Sequence, residues 1–88
     1  MKILLSFFLF TTFLFASVDL NNASAEELAT LKKIGMKKAA KIIAYRKDHC
    51  FKDVKELKKV KGISKRKAKK IIKKNRGNIS IGACQVKE

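Results

Sequence analysis

The sequence predicts an all-α fold of four short helices arranged as two pseudo-symmetric hairpins. The first observation is an internal repeat: shifted by 29 positions, 9 of the 17 residues in segment 27–43 meet identical residues in segment 56–72. The second is that apolar residues recur in each copy at the spacing of one helix face. The third is a glycine near the front of each copy, where a tight turn can join two helices. We assign this domain to residues 18–78.

Residues 1–17 have the order of parts of a secretory signal peptide. Met1-Lys2 is a short basic start, Ile3 to Phe15 is mostly Leu and Phe, and Ala16-Ser17 supplies small residues. The apolar run is shorter than the roughly 20 residues that span a bilayer. We therefore expect a cleaved, exported protein that is periplasmic or on the cell surface. An uncleaved membrane anchor is the alternative.

The first copy predicts a short helix, a turn and a longer helix. Ser24 followed by Glu27 is a capping box, so a helix begins at Ala25. Gly35 follows within two turns, and a second helix fits Lys37 to about Lys47. The residues expected to face inward are Leu28, Leu31, Ala39, Ile42 and Ile43.

The second copy follows the same plan. Asp53 and Glu56 repeat the capping pattern, so a third helix is expected to begin near Val54 and to stop at Gly62. A serine then caps a fourth helix from Lys65 to about Asn75. The residues expected to face inward are Leu57, Val60, Ala68, Ile71 and Ile72.

Residues 79–88 form a predicted C-terminal tail, in which Ile79 or Ile81 is expected to pack on the core without strand pairing. Two cysteines, Cys50 and Cys84, lie in the exported part of the chain. A small domain buries little surface, and an exported protein meets an oxidising compartment, so we expect a disulfide between them. The alternatives are a buried thiol at Cys50 and a free or intermolecular thiol at Cys84.

Charge narrows the class of partner. The chain has 22 Lys and Arg against 7 Asp and Glu, a formal net charge of +15. Such a balance indicates a polyanionic partner, either nucleic acid or an anionic membrane. One histidine and no convincing pair of carboxylates argue against an enzyme, and we expect no cofactor and no small-molecule substrate. His49 beside Cys50 supplies too few ligands for a zinc site, so no metal is expected.

Both glycine turns suit the binding of a phosphate. The helix after each turn presents free N–H groups and the positive end of its dipole, and lysines stand at its start. The segments "LKKIG…AAKII" and "VKGIS…AKKII" resemble two tandem helix-hairpin-helix motifs. With the lead-in "DLNNASAEEL", the connector "FKDVKEL" and the apolar leader, the chain resembles the ComEA family of competence DNA receptors.

This resemblance implies non-specific binding of double-stranded DNA through backbone phosphates, during the uptake of transforming DNA. It also implies DNA-uptake machinery at the envelope as a further partner. Two positions depart from the pattern, because Lys33 and Ser64 stand where the motif usually has glycine. The DNA-binding positions carried over to this sequence are Ile34, Gly35, Lys37, Lys38, Gly62, Ile63, Ser64, Lys65, Arg66 and Lys67.

The alternative function is that of a cationic secreted protein acting on an anionic membrane or cell envelope. A helix that binds a membrane surface needs large apolar side chains exposed on one face. The chain has no Trp, and Phe51 is the only phenylalanine after Phe15. The isoleucines of the repeat are already needed for the core, which favours DNA.

Overall fold

The computed structural model describes residues 17–84. The predicted signal peptide, apart from its last residue, and the last four residues of the predicted tail lie outside the described part. Within residues 17–84 the elements are two strands, three α-helices and one 3₁₀ helix. In chain order they are β1 (Val18–Asp19), α1 (Ala25–Ala29), α2 (Gly35–Arg46), the 3₁₀ helix (Val54–Lys59), α3 (Lys65–Lys74) and β2 (Ile79–Ser80).

The first hairpin is α1 packed against α2. The predicted capping box is confirmed: Ser24 Oγ accepts from the Glu27 amide at 3.1 Å, and Glu27 Oε1 accepts from the Ser24 amide at 2.9 Å. Two N–H groups that a helix start leaves open are thereby satisfied. The second helix begins at Gly35, two residues before the predicted start, and ends at Arg46.

The second hairpin is the 3₁₀ helix packed against α3. Asp53 caps the 3₁₀ helix by accepting from the Lys55 amide at 2.8 Å, while Glu56 accepts from the Lys52 amide at 3.1 Å. The reciprocal contact of a capping box is therefore not made here, and the segment winds as a tighter 3₁₀ helix. The serine cap of α3 is confirmed, since Ser64 Oγ accepts from the Lys67 amide at 3.2 Å.

The core draws equally on both copies of the repeat. Eight of the ten residues expected to face inward are buried, and Ile43 and Ile72 pack against the core while partly exposed. Phe51 from the connector and Leu20 from the lead-in also belong to the core. Each fully buried Leu, Ile, Val or Phe side chain contributes roughly 1.5–3 kcal/mol. The eight are Leu28, Leu31, Ala39, Ile42, Leu57, Val60, Ala68 and Ile71.

The expectation that no strands pair is wrong. β1 and β2 form a parallel pair in which Val18 is opposite Ile79 and Asp19 is opposite Ser80. The Val18 amide donates to the Asn78 carbonyl at 2.7 Å, and the Leu20 amide donates to the Ser80 carbonyl at 3.0 Å. The described part of the tail is thereby fixed to the lead-in, and the fold is a helical domain with a small two-stranded sheet.

A buried asparagine and a disulfide hold the same region together. Asn21 Nδ2 donates to the carbonyls of Phe51 and Gly82, each at 3.0 Å, and Asn21 Oδ1 accepts from the Phe51 amide at 2.8 Å. The predicted disulfide between Cys50 and Cys84 is present, with the two Cα atoms 5.6 Å apart. Lead-in, connector and tail are therefore joined at one point.

The Asp19 carboxylate organises the same junction. Its Oδ1 accepts from the amides of Asn21 and Gly82, each at 2.9 Å, and its Oδ2 accepts from Asn22 Nδ2 at 2.8 Å. Burial alone would raise the pKa of Asp19, but these hydrogen bonds outweigh it and hold the pKa below its ordinary value of 3.8. A side chain at Gly82 would overlap this carboxylate, so the close approach requires glycine.

Candidate nucleic-acid interface

The two turns share one backbone feature at equivalent positions of the repeat. Lys33 has φ of 72° and Gly62, 29 positions later, has φ of 90°. Both residues are in the left-handed region, which favours glycine. The first hairpin therefore keeps the bend that a glycine would make, although a lysine occupies it. The copies differ two residues later, where Gly35 has φ of 65° and Ser64 has φ of −77°.

The isoleucines of the turns point into the core. Ile34 and Ile63 are 4% and 2% exposed. Their amides donate to the carbonyls of Leu31 at 3.2 Å and Val60 at 3.0 Å. Neither the side chains nor the amides are open to a phosphate, so these two residues position the turns.

The two helices that follow the turns begin differently. The cap position of α2, Ile34, makes no side-chain hydrogen bond, so the first-turn amides of Gly35, Met36 and Lys37 have no capping side chain. In α3, Ser64 already accepts from the amide at the third helical position. More unpaired N–H groups are thus available to an anion at the start of α2 than at the start of α3.

A cleft between the two hairpins brings four lysines together. Its volume is about 220 Å³, and its floor includes Ile71. We call it the lysine cleft; its lysines are Lys33 and Lys38 from the first copy and Lys67 and Lys70 from the second. Because Lys38 and Lys67 occupy the same position of the repeat, each hairpin contributes one equivalent cation. Four like charges around one concave surface concentrate a positive potential there.

Each hairpin also reaches the turn of the other. The side chain of Lys41 in α2 lies over the second turn, since a Cβ placed on Gly62 would be 3.1 Å from Lys41 Cδ. The equivalent lysine of α3, Lys70, lines the lysine cleft beside Lys33 of the first turn. This reciprocal arrangement brings each turn close to the facing helix of the other copy.

A second buried asparagine locks the first turn to the second hairpin. Asn75, 2% exposed at the end of α3, donates from Nδ2 to the Lys32 carbonyl at 3.0 Å. Its Oδ1 accepts from the Lys32 amide at 2.8 Å. Nδ2 also donates to the Ile71 carbonyl at 2.8 Å, which ties the side chain to its own helix. The residue before the left-handed Lys33 is thus held at both of its backbone polar groups.

The ten predicted DNA-binding residues do not all converge. Lys38 and Lys67 meet in the lysine cleft, whereas Lys65 lines a different groove, between the 3₁₀ helix and α3. Lys37 and Arg66 are exposed in the first turns of α2 and α3, outside the lining of the cleft.

Lys70 and Lys41 are not among the ten predicted DNA-binding residues. The signal that identifies both is the repeat itself, because they occupy one equivalent position.

Other kinds of site are not apparent in the described part of the chain. Residues 17–84 contain no cluster of three or more histidine, cysteine or acidic side chains placed to bind a metal ion. None of the helices within that range has the length and apolar character needed to cross a membrane. Met36 is the single large apolar side chain in this part that is exposed, at 55%.

Lys33→Gly is expected to stabilise the domain by about 0.5–1 kcal/mol, because glycine adopts positive φ without the steric cost that a lysine bears. The same change removes a cation from the lysine cleft, so the positive charge of the cleft should fall while the stability of the domain rises. Thermal unfolding should shift upward by a few degrees, about 2–8 °C. Lys37→Gly, in an ordinary helical position, is the matched control and should lower the melting temperature. A lower melting temperature for Lys33→Gly would contradict the left-handed turn.

The chain is similar in sequence to known helix-hairpin-helix proteins and to part of two kinesin-like proteins. A family model described as a helix-hairpin-helix motif matches residues 15–79. Kinesin-like protein KIF22 of Mus musculus is 40% identical over 67 residues, which is 75% of this chain and 10% of that protein. Kinesin-like protein KIF22 of Rattus norvegicus is 39% identical over the same length. The chain spans about a tenth of the length of these curated relatives.

Proposed function

Because the chain belongs to the helix-hairpin-helix family, whose motif generally binds nucleic acid, we propose that it binds double-stranded DNA. The contacts would be made to backbone phosphates. The observation that carries the proposal is the lysine cleft, to which both hairpins contribute. Lys38 and Lys67 supply equivalent cations from the two copies. A pair of pseudo-symmetric phosphate sites suits the two backbone strands of one duplex.

Each part of a turn has a separate role in this proposal. The left-handed bends at Lys33 and Gly62 direct the chain sharply into the following helix. The open amides at the start of α2 donate to phosphate oxygens, and the lysines of the cleft neutralise the charge of the backbone. The buried residues Ile34 and Ile63 contact no DNA and hold the bends in place.

Recognition is proposed to be independent of base sequence. Lysine acts on phosphate as a point charge, whereas reading a base edge usually requires the paired hydrogen bonds of Arg, Asn or Gln. The lysine cleft is lined by four lysines and one isoleucine. Two asparagines, Asn21 and Asn75, are buried and already hydrogen-bonded to backbone groups, so neither can read a base.

We place this binding in the uptake of transforming DNA outside the cytoplasmic membrane. The apolar leader supports export, and the Cys50–Cys84 disulfide is of a kind that persists in oxidising compartments. The resemblance to the ComEA competence receptors supports the uptake role. Non-specific phosphate contacts would retain an incoming duplex and resist its backward movement, whatever its sequence.

A duplex-binding assay over a series of salt concentrations tests the proposal. If about 4–8 phosphates are neutralised, log K should fall with log salt at a slope of about −4 to −7, so the affinity should drop by about 10²–10⁴ between 50 and 200 mM salt. Two duplexes of equal length and different sequence should give nearly the same Kd. A slope near zero, or no binding at 50 mM salt, would refute DNA as the ligand.

A further inference from the structure

A second concave surface lies between the 3₁₀ helix and α3. This groove has a volume of about 270 Å³ and an apolar floor formed by Val54, Ala68 and Ile72. Both Val54 and Ile72 pack against the core while remaining partly exposed. The rim is cationic throughout and consists of Lys55, Lys58, Lys65, Lys69, Lys73 and Arg76.

The start of the groove and the lysine cleft lie on opposite sides of α3. With 3.6 residues per turn, Lys65 and Lys69 each lie roughly 160° around the axis of α3 from Lys67. Lys67 lines the lysine cleft, and the other two line the groove. Farther along α3 the two surfaces approach each other, because Lys73 of the groove rim also lines a cavity with Lys33 and Lys70. A duplex bound in the cleft would leave the start of the groove, at Lys65 and Lys69, open to a second partner.

We propose that the groove docks an acidic amphipathic helix of a partner protein. An apolar strip between two rows of cations complements a helix that has apolar residues at i, i+3, i+4 and i+7 flanked by Asp and Glu. The groove follows α3 from Lys65 to Lys73, about 12 Å at the rise of an α-helix, which suits about two turns of a docked helix.

Charge and shape argue against other occupants. DNA would meet the cations, but it has no apolar side chain to cover Val54 and Ile72. A second copy of the chain carries the same excess of positive charge, +15, so two grooves would repel each other. A lipid surface is best contacted by protruding apolar side chains, whereas this apolar surface is concave and Met36 lies outside it.

The test uses a fluorescein-labelled 14-residue peptide of leucine and glutamate, with leucines placed on one helical face. A scrambled peptide of the same composition has no such face. In fluorescence anisotropy at 0.15 M salt, the oxidised protein should bind the amphipathic peptide at least tenfold more tightly than the scrambled one. Saturating duplex DNA should not displace the peptide. Equal binding of the two peptides, or displacement by DNA, would overturn the proposal.

Variants separate this groove from the lysine cleft. Ile72→Ser should weaken peptide binding about tenfold and leave duplex affinity nearly unchanged. The double variant Lys55→Ala with Lys58→Ala should weaken peptide binding by a similar factor. Because both lysines lie on the exposed rim, this variant tests the groove even if Ile72→Ser impairs folding. Lys38→Ala with Lys67→Ala is the matched charge control and should still bind the peptide.

Normal peptide binding by both groove variants would overturn the assignment of the groove. Displacement of the peptide by vesicles of anionic phospholipid would also overturn it, in favour of a lipid surface.

Discussion

Replacing Lys38 and Lys67 together by alanine is expected to weaken duplex binding about thirtyfold at 0.15 M salt and to reduce the salt slope by about two. Both side chains line the cleft between the hairpins, one from each copy of the repeat. If each lysine neutralises one phosphate, each substitution removes one phosphate contact and the release of counterions that accompanies it. The measurement is Kd by anisotropy at four salt concentrations.

The matched control for this prediction is Lys55→Ala with Lys58→Ala. It removes the same net charge from the groove beside the 3₁₀ helix, away from the lysine cleft. Any loss of DNA affinity in this control variant measures the general attraction of a strongly basic protein for DNA. Equal losses in the two double variants would mean that the lysine cleft has no special role, and would reduce the interface to a diffuse positive surface.

Reduction of the Cys50–Cys84 disulfide is expected to destabilise the domain by roughly 3–4 kcal/mol. The bond joins residues separated by 34 positions, and closing a loop of that length restricts the unfolded chain by about this amount. In a domain of this size the melting temperature should fall by more than about 10 °C. The measurement is thermal unfolding followed by circular dichroism, with and without reductant.

A double variant, Cys50→Ala with Cys84→Ala, controls for other effects of the reductant. Its melting temperature should match that of the reduced native protein and should not respond to the reductant. If the native protein unfolds at the same temperature in both conditions, the disulfide contributes nothing to stability. The strand pair and the hydrogen bonds of Asn21 and Asp19 would then secure the junction of lead-in, connector and tail.

Local patterns predicted the helices and the core well. The capping serines at 24 and 64 mark helix starts through contacts within three residues, which a sequence displays directly. The repeat locates both bends, and it identifies Lys33 as the counterpart of Gly62. Apolar spacing places residues such as Ile42 and Ile71 in the core, because only one face of each helix is apolar.

Contacts between distant segments could not be predicted in the same way. The strand pair joins residues about 60 positions apart over only two residues, too short for an alternating pattern. The roles of Asn21 and Asn75 depend on backbone groups brought near them by the fold. The direction of Lys65, toward the groove and away from the cleft, depends on how α3 rotates on the core.

The link from Asn75 to Lys32 makes the two halves of the duplication unequal. The residue equivalent to Asn75 in the first copy is Arg46, which instead donates from its guanidinium to the Leu20 carbonyl at 3.1 Å. The second copy therefore holds the turn of the first copy through Asn75, while the first copy holds the lead-in through Arg46. The two copies are therefore not interchangeable. A protein built from two identical copies of either one would lack the Asn75–Lys32 contact or the Arg46–Leu20 contact.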